Sequence, residues 1–150
     1  MIRKSVKRIV KETLKRLDLY SEEAVALIIA TGNAESGFRH LEQIKGPARG
    51  FFQCEPATCL DIWENYVMYR PQIKEKLWNL GFNEADAEWS LFSNIAVQAA
   101  ICRLHYRRVP KRLPAVDDLV GQAKYWKQYY NTKHGKGTVE HFLKANGGSR

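Results

Sequence analysis

The chain has 150 residues, of which 45% are hydrophobic and 27% charged, with a formal net charge of +8. This length supports one domain with its own core, and the composition excludes a disordered or collagen-like chain. The charge is uneven, +5 over residues 1–20, −5 over 21–100 and +8 over 101–150, a field that draws polyanions (nucleic acid, anionic lipid or anionic cell wall) without choosing among them.

Ile2, Val6, Ile9, Val10, Leu14 and Leu17 recur at helical spacing with basic residues between them, so residues 1–20 hold a basic amphipathic helix. Its apolar stripe suits packing against the domain, with a membrane surface as the alternative. Residues 1–19 contain no continuous apolar stretch of the kind a signal peptide needs. The longest apolar run, 24–30, is far short of a membrane span. These features point to synthesis in a cytoplasm without a signal peptide.

Ser21 followed by Glu22 and Glu23 marks a helix start. Residues 24–31 are apolar on nearly all sides, the pattern of a buried central helix, which Gly32 ends or interrupts. Residues 37–56 form a long glycine- and proline-rich loop with a short extended piece at 50–53. Helices follow over 57–69, from Pro71 to near Gly81, over 83–91 and over 94–108. Residues 110–114 are a linker, 119–130 are helical, 131–137 are a glycine-rich turn, 138–145 are the last helix and 146–150 a frayed tail. The class is mostly α.

The odd number of cysteines argues against a fully paired secreted scaffold. Cys54, Cys59 and Cys102 read as reduced, partly buried thiols, with a Cys54–Cys59 bridge left open. His40, His105, His134 and His141 lack metal-ligand spacing, and no cofactor or metal is implied. His105 reads as a satisfied interior or a cleft-edge imidazole and His40 as a cleft-edge candidate, neither of them catalytic.

Glu35 stands where the apolar central helix meets a loop. Partial burial there raises a carboxyl pKa, and the negative end of the helix acts the same way. A carboxyl so raised serves as a general acid near neutral pH. The plain alternative is a solvated glutamate on a helix end. The second informative stretch is Gly46-Pro47-Ala48-Arg49-Gly50-Phe51-Phe52-Gln53. Its glycines permit close approach of a ligand. Either one of Phe51 and Phe52 is free to face a sugar while the other anchors the loop, or the stretch is a structural glycine-proline loop with both phenylalanines in the core; Gln53 offers a donor and an acceptor. Trp126, Tyr129 and Tyr130 are aromatic faces suited either to stacking on sugars or to core packing.

Taken together, Glu35-Ser36-Gly37-Phe38, then Ala48-Arg49-Gly50-Phe51-Phe52-Gln53 and Pro56-Ala57-Thr58, resemble the motifs of the lytic transglycosylases of the soluble-lysozyme type, relatives of goose-type lysozymes. Pro47 replaces a glycine of the pattern, Phe51-Phe52 replaces Leu-Met, and a serine expected near Ile44 is absent. Asn94-Ile95 and Tyr130-Asn131 match looser parts of the pattern over residues 21–145. The resemblance implies a lysozyme-like fold with a central buried helix and a substrate cleft. It implies cleavage of the β-1,4 bond between N-acetylmuramic acid and N-acetylglucosamine in bacterial peptidoglycan, with Glu35 as the single catalytic residue and a 1,6-anhydro product. It assigns substrate binding to Ser36, Phe52, Gln53, Tyr130 and Asn131, with the active-site tyrosine at Tyr130 or Tyr129. Tyr130 is expected to hydrogen-bond Glu35.

Size, charge and lack of a signal peptide look most like a bacteriophage member, a lysis enzyme or a virion-associated one. Such a protein is made in an infected bacterium, acts on periplasmic or extracellular peptidoglycan, is monomeric in isolation, and has virion or tail proteins as its other partners. The close alternative is a hydrolytic muramidase with Glu35 as general acid and either a second carboxylate, for which Glu42, Glu55 and Asp61 are the candidates, or a positioned water. A catalytically dead wall-binding protein is a further alternative. From a different class comes a nucleic-acid-binding module built on Arg103, Arg107, Arg108, Lys111 and Arg112. That reading explains the charge but leaves Glu35 and the glycine loop without a role, so no specific nucleic acid is expected.

Overall fold

The computed structural model describes residues 2–132 and 135–148. Among the described residues the chain is mostly helical, with eight α-helices and no strand. Helix α1 (Ile2–Arg16) buries Val6, Val10, Thr13 and Leu14 and lays that face mainly on α6 (Ile95–Arg107). The amphipathic stripe is therefore consumed by packing, and the basic residues cover the outer face. No described helix is long and apolar enough to cross a membrane.

Helix α2 (Glu22–Glu35) begins as its sequence suggests. Ser21 Oγ accepts from Ala24 N at 3.0 Å, and Glu22 and Glu23 occupy the first turn, where the helix dipole favours anions. Apolar on most sides, it runs through the centre and touches α1, α6, α7 (Leu119–Trp126) and α8 (Val139–Ala145). Gly32 does not end it. The helix continues to Glu35, and Gly37, at φ +63°, closes it by donating to the Gly32 carbonyl at 2.9 Å.

Gly32 serves packing instead. A Cβ there would lie 2.2 Å from Cζ of Phe38, whose ring is wedged edge-on between Phe51 and Phe52. Gly32→Ala is accordingly expected to destabilise the fold by about 1–3 kcal/mol, overriding the helix preference of alanine. Urea unfolding measures this, and a variant as stable as the parent would refute the wedge.

The middle of the chain forms α3 (Pro56–Asn65), α4 (Pro71–Asn79) and α5 (Ala87–Ser93). Pro56 and Pro71 each take a first-turn position, where the missing N–H is no loss. The helix expected over 57–69 breaks at Tyr66, and a short 3₁₀ turn covers Val67–Tyr69. Residues 50–53 are not extended; they turn, flanked by isolated bridges from Arg49 to Glu42 and to Cys54. Asn94 caps α6, accepting from Val97 N at 3.0 Å.

Two further expectations are corrected. The helix expected over 119–130 is α-helical only to Trp126 and widens into a π turn over Lys127–Asn131, a feature common at functional sites. The tail does not fray at 146: Asn146 donates to the Ala30 carbonyl at 3.1 Å and accepts from Asn33 at 3.0 Å. Gly148 N also donates to the Leu143 carbonyl at 2.7 Å. Residues 149–150 and His134 lie outside the described residues.

The main core gathers residues from α1 to α7. A smaller apolar cluster of Ala30, Ala34, Ala123, Trp126 and Phe142 joins α2 to α7 and α8. Cys54, Cys59 and Cys102 are buried free thiols, and no Cys54–Cys59 bridge is present.

Candidate active site

The last residue of α2 is Glu35, and the packing of the two elements that flank it fixes its surroundings. On one side the 37–56 loop folds back over the helix end. Ser36 Oγ donates to the Phe51 carbonyl at 2.6 Å and accepts from Phe38 N at 3.0 Å. Gln98 of α6, itself buried, accepts from Phe51 N at 3.0 Å. Gly50, at φ +83°, lies so close to Gln98 and to the Leu91 carbonyl that a Cβ would meet both at under 3 Å. On the other side α7 brings the Trp126 indole against the carboxylate, with Nε1 donating to Glu35 Oε2 at 2.9 Å.

These elements enclose an open cavity of about 870 Å³. Ala34 and Glu35 form part of its wall, with Gln53, Cys54 and Glu55 from the loop and Thr58 and Asp61 from α3. His105 and Arg108 contribute from α6 and its C-terminal cap, Tyr130 and Asn131 from the π turn, and His141 from α8. His141 Nε2 bonds the Ala34 carbonyl at 2.7 Å, tying α8 to the turn that carries Glu35.

Burial is the larger influence on Glu35. It disfavours the anion and pushes the carboxyl from 4.5 up to about 7, while the bond from Trp126 pulls the other way. Glu35 therefore holds its proton up to neutral pH at the wall of an open cavity. Asp61 is the opposite case. Exposed, it accepts from Arg108 at 2.8 Å and from Asn65 at 2.7 Å, and these bonds hold its carboxyl below the usual range. One cavity thus contains a protonated carboxyl and a carboxylate.

Among the residues singled out by sequence, Glu35, Gln53, Tyr130 and Asn131 meet at this cavity, together with Glu55 and Asp61. Glu42 does not line it. Ser36 is buried, and both its bonds hold the loop. Phe52 is 1% exposed and Phe51 also buried, so neither ring faces the cavity; Phe52 participates through its carbonyl. That carbonyl accepts from Tyr130 Oη at 2.5 Å, so the tyrosine expected on Glu35 is bound elsewhere and Trp126 takes its place. Trp126 is likewise a core side chain, packed on Phe142 at 5.2 Å, and is no stacking platform. Its link to Glu35 spans 91 residues, and nothing local to either residue signals it.

Phe38 and Gln53 adopt left-handed backbone at φ +57° and +51°. Such conformations cost of order 1–3 kcal/mol in residues with a Cβ and concentrate at functional sites. Both belong to the two stretches flanking Glu35.

The basic cluster of α6 and the following linker is partly engaged within the chain. Arg103 is buried with Nε donating to the Leu19 carbonyl at 3.2 Å, and Arg108 is paired with Asp61. Arg107, Lys111 and Arg112 remain exposed. No protein-family model, curated protein or solved structure matches this chain.

Proposed function

We propose that the helical domain is a lysozyme-like fold and that the protein is a peptidoglycan lytic transglycosylase of the soluble-lysozyme type. The observation that carries this reading is Glu35, a carboxyl held protonated to about pH 7 by burial on the wall of a cavity large enough for sugar units. In the proposed reaction Glu35 gives its proton to the glycosidic oxygen between N-acetylmuramic acid and N-acetylglucosamine as the bond to the anomeric carbon breaks. The resulting carboxylate then takes the proton of the muramoyl C6 hydroxyl, whose oxygen bonds the anomeric carbon. The proton returns to Glu35, the product carries a 1,6-anhydro ring, and no water is consumed. One carboxyl suffices because the nucleophile belongs to the substrate. Gln53 and Asn131, both on the cavity wall, supply donors and acceptors for sugar groups. Ser36 and Phe52 support the site from behind.

Asp61 favours a second reading. An ionised carboxylate sharing a cavity with a protonated one is the arrangement of a hydrolytic muramidase, with Asp61 or Glu55 activating water. The two readings differ by one water in the product. Mass spectrometry of muropeptides released from purified peptidoglycan is expected to show anhydromuramoyl ends, lighter than the hydrolysed sugar by one water. Reducing muramoyl ends alone would assign the hydrolase. An intact wall after incubation with folded protein would reject both readings.

In this role the protein meets its substrate in the periplasm or outside the cell, as a bacteriophage lysis enzyme or a virion-associated entry enzyme. Virion or tail proteins would be its partners in the second case.

A further inference from the structure

A second pocket, of about 320 Å³, lies at the C-terminal end of α6 and shares no residue with the Glu35 cavity. Three cations line it: Arg103 and Arg107, one turn apart on α6, and Lys111 from the following linker. No acidic residue lines it, and none of the three forms an ion pair among the described residues. The linker is fixed in place, since Tyr125 Oη donates to the Lys111 carbonyl at 3.1 Å.

Arg103 is the unusual member. It is only 8% exposed, and a guanidinium so buried ordinarily faces a carboxylate. Its Nε donates to the Leu19 carbonyl at 3.2 Å, but Nη1 and Nη2 have no acceptor among the described residues, and both keep access to solvent. Burial and the neighbouring Arg107 cation both press against the Arg103 charge, holding its pKa below the usual guanidinium value. The negative end of α6 offsets part of this charge. It supplies no acceptor to the two free nitrogens.

The pocket specifies its occupant by charge and by shape. Two guanidiniums and an ammonium around one space call for more than a single negative charge and for several acceptor oxygens. A phosphomonoester carries close to two charges at neutral pH and three acceptor oxygens. The volume exceeds that of a phosphate group, and Leu19, Val109 and Leu113 provide apolar wall for an organic substituent. We infer that this pocket binds a small organic phosphomonoester, with Arg103, Arg107 and Lys111 holding the phosphate group and the apolar wall holding its substituent. The assignment is independent of the reading of the Glu35 cavity.

The test is titration of protein carrying ¹⁵N-labelled arginine with phenyl phosphate at pH 7 and fixed ionic strength, followed at the Nε–H groups of Arg103 and Arg107. The two signals are assigned by their loss in Arg103→Lys and Arg107→Gln. Phenyl phosphate is expected to move both saturably and to bind more tightly than inorganic phosphate, and benzoate at the same concentrations to leave both in place. Arg107→Gln should weaken phenyl phosphate about tenfold, the share of one charge-assisted hydrogen bond. Arg112→Gln, at an exposed neighbour outside the pocket, should leave the affinity unchanged. No saturable movement with phenyl phosphate overturns the inference. Equal weakening by Arg112→Gln also overturns it, since the attraction would then be diffuse. Benzoate binding as tightly as phenyl phosphate removes the phosphate assignment. Duplex DNA moving both signals where phenyl phosphate does not would replace the pocket with a nucleic-acid contact. Phosphatidic acid vesicles distinguish the source of the ester: retention that is lost in Arg107→Gln makes it a lipid headgroup, and no retention makes it a soluble one. Should Arg103→Lys fail to fold, the Arg107 signal and the two glutamine variants still decide.

Discussion

Glu35→Gln is expected to lower peptidoglycan cleavage by about 10²- to 10⁴-fold, the usual worth of a positioned general acid, with helicity unchanged. The amide has nearly the shape of the acid and still offers an oxygen to Trp126, but it has no proton to give. A folded variant with undiminished cleavage would remove Glu35 from the mechanism. The same substitution has a second consequence, on stability, with a defined sign. The Glu35 carboxyl has a folded-state pKa of about 7 against 4.5 for the unfolded chain, because burial penalises the anion. Between those values the folded state binds more protons than the unfolded one. Its stability therefore falls as pH rises from about 4.5, and the penalty is complete above about 7. At pH 8 the cost is of order 3 kcal/mol, and Glu35→Gln removes it. The variant should thus be more stable than the parent at pH 8 and nearly equal at pH 4.5. Urea unfolding at the two values checks this, and a gain independent of pH would contradict the assigned protonation. Loss of activity with a gain in stability is the signature of a group kept strained for its task.

Trp126→Phe is expected to move the alkaline limb of the pH–activity profile upward by about one unit. The indole N–H stabilises the Glu35 anion, opposing burial, and hydrogen bonds to charged groups are worth about 1.5–3 kcal/mol. Without that donor, burial acts unopposed and the carboxyl keeps its proton to higher pH. A general acid must be protonated to act, so the variant should work at pH values where the parent has faded. Phenylalanine keeps a ring against Phe142 but leaves a void beside Gly137, whose missing Cβ would sit 2.5 Å from the indole edge. A stability loss of about 1–3 kcal/mol accompanies the shift. An alkaline limb that stays in place while stability falls would mean that Trp126 only packs.

Much of the helical framework is legible in the chain because its signals are local. Ser21 with Glu22 and Glu23, the prolines at 56 and 71 and Asn94 each start a helix through contacts within one turn. Where the reading goes astray, a distant residue has intervened. Gly32 looks like a helix stop until Phe38 is seen to occupy the space of its absent side chain. Phe52 looks like a sugar platform until the loop folds and buries it against Phe38. Ser36 looks like a substrate contact, yet its hydroxyl fastens the helix end to the Phe51 carbonyl.

The order of residues alone determined a mostly helical chain, a buried central helix and a carboxyl at the end of that helix, because propensity, capping and apolar periodicity act over a few positions. Only the tertiary structure decided what that carboxyl can do. Its raised pKa comes from neighbours many residues away, its donor is Trp126 in place of Tyr130, and its cavity is shared with Asp61 and His105. Burial and hydrogen-bond geometry are properties of packed surfaces, and no local pattern of residues encodes which surfaces will meet.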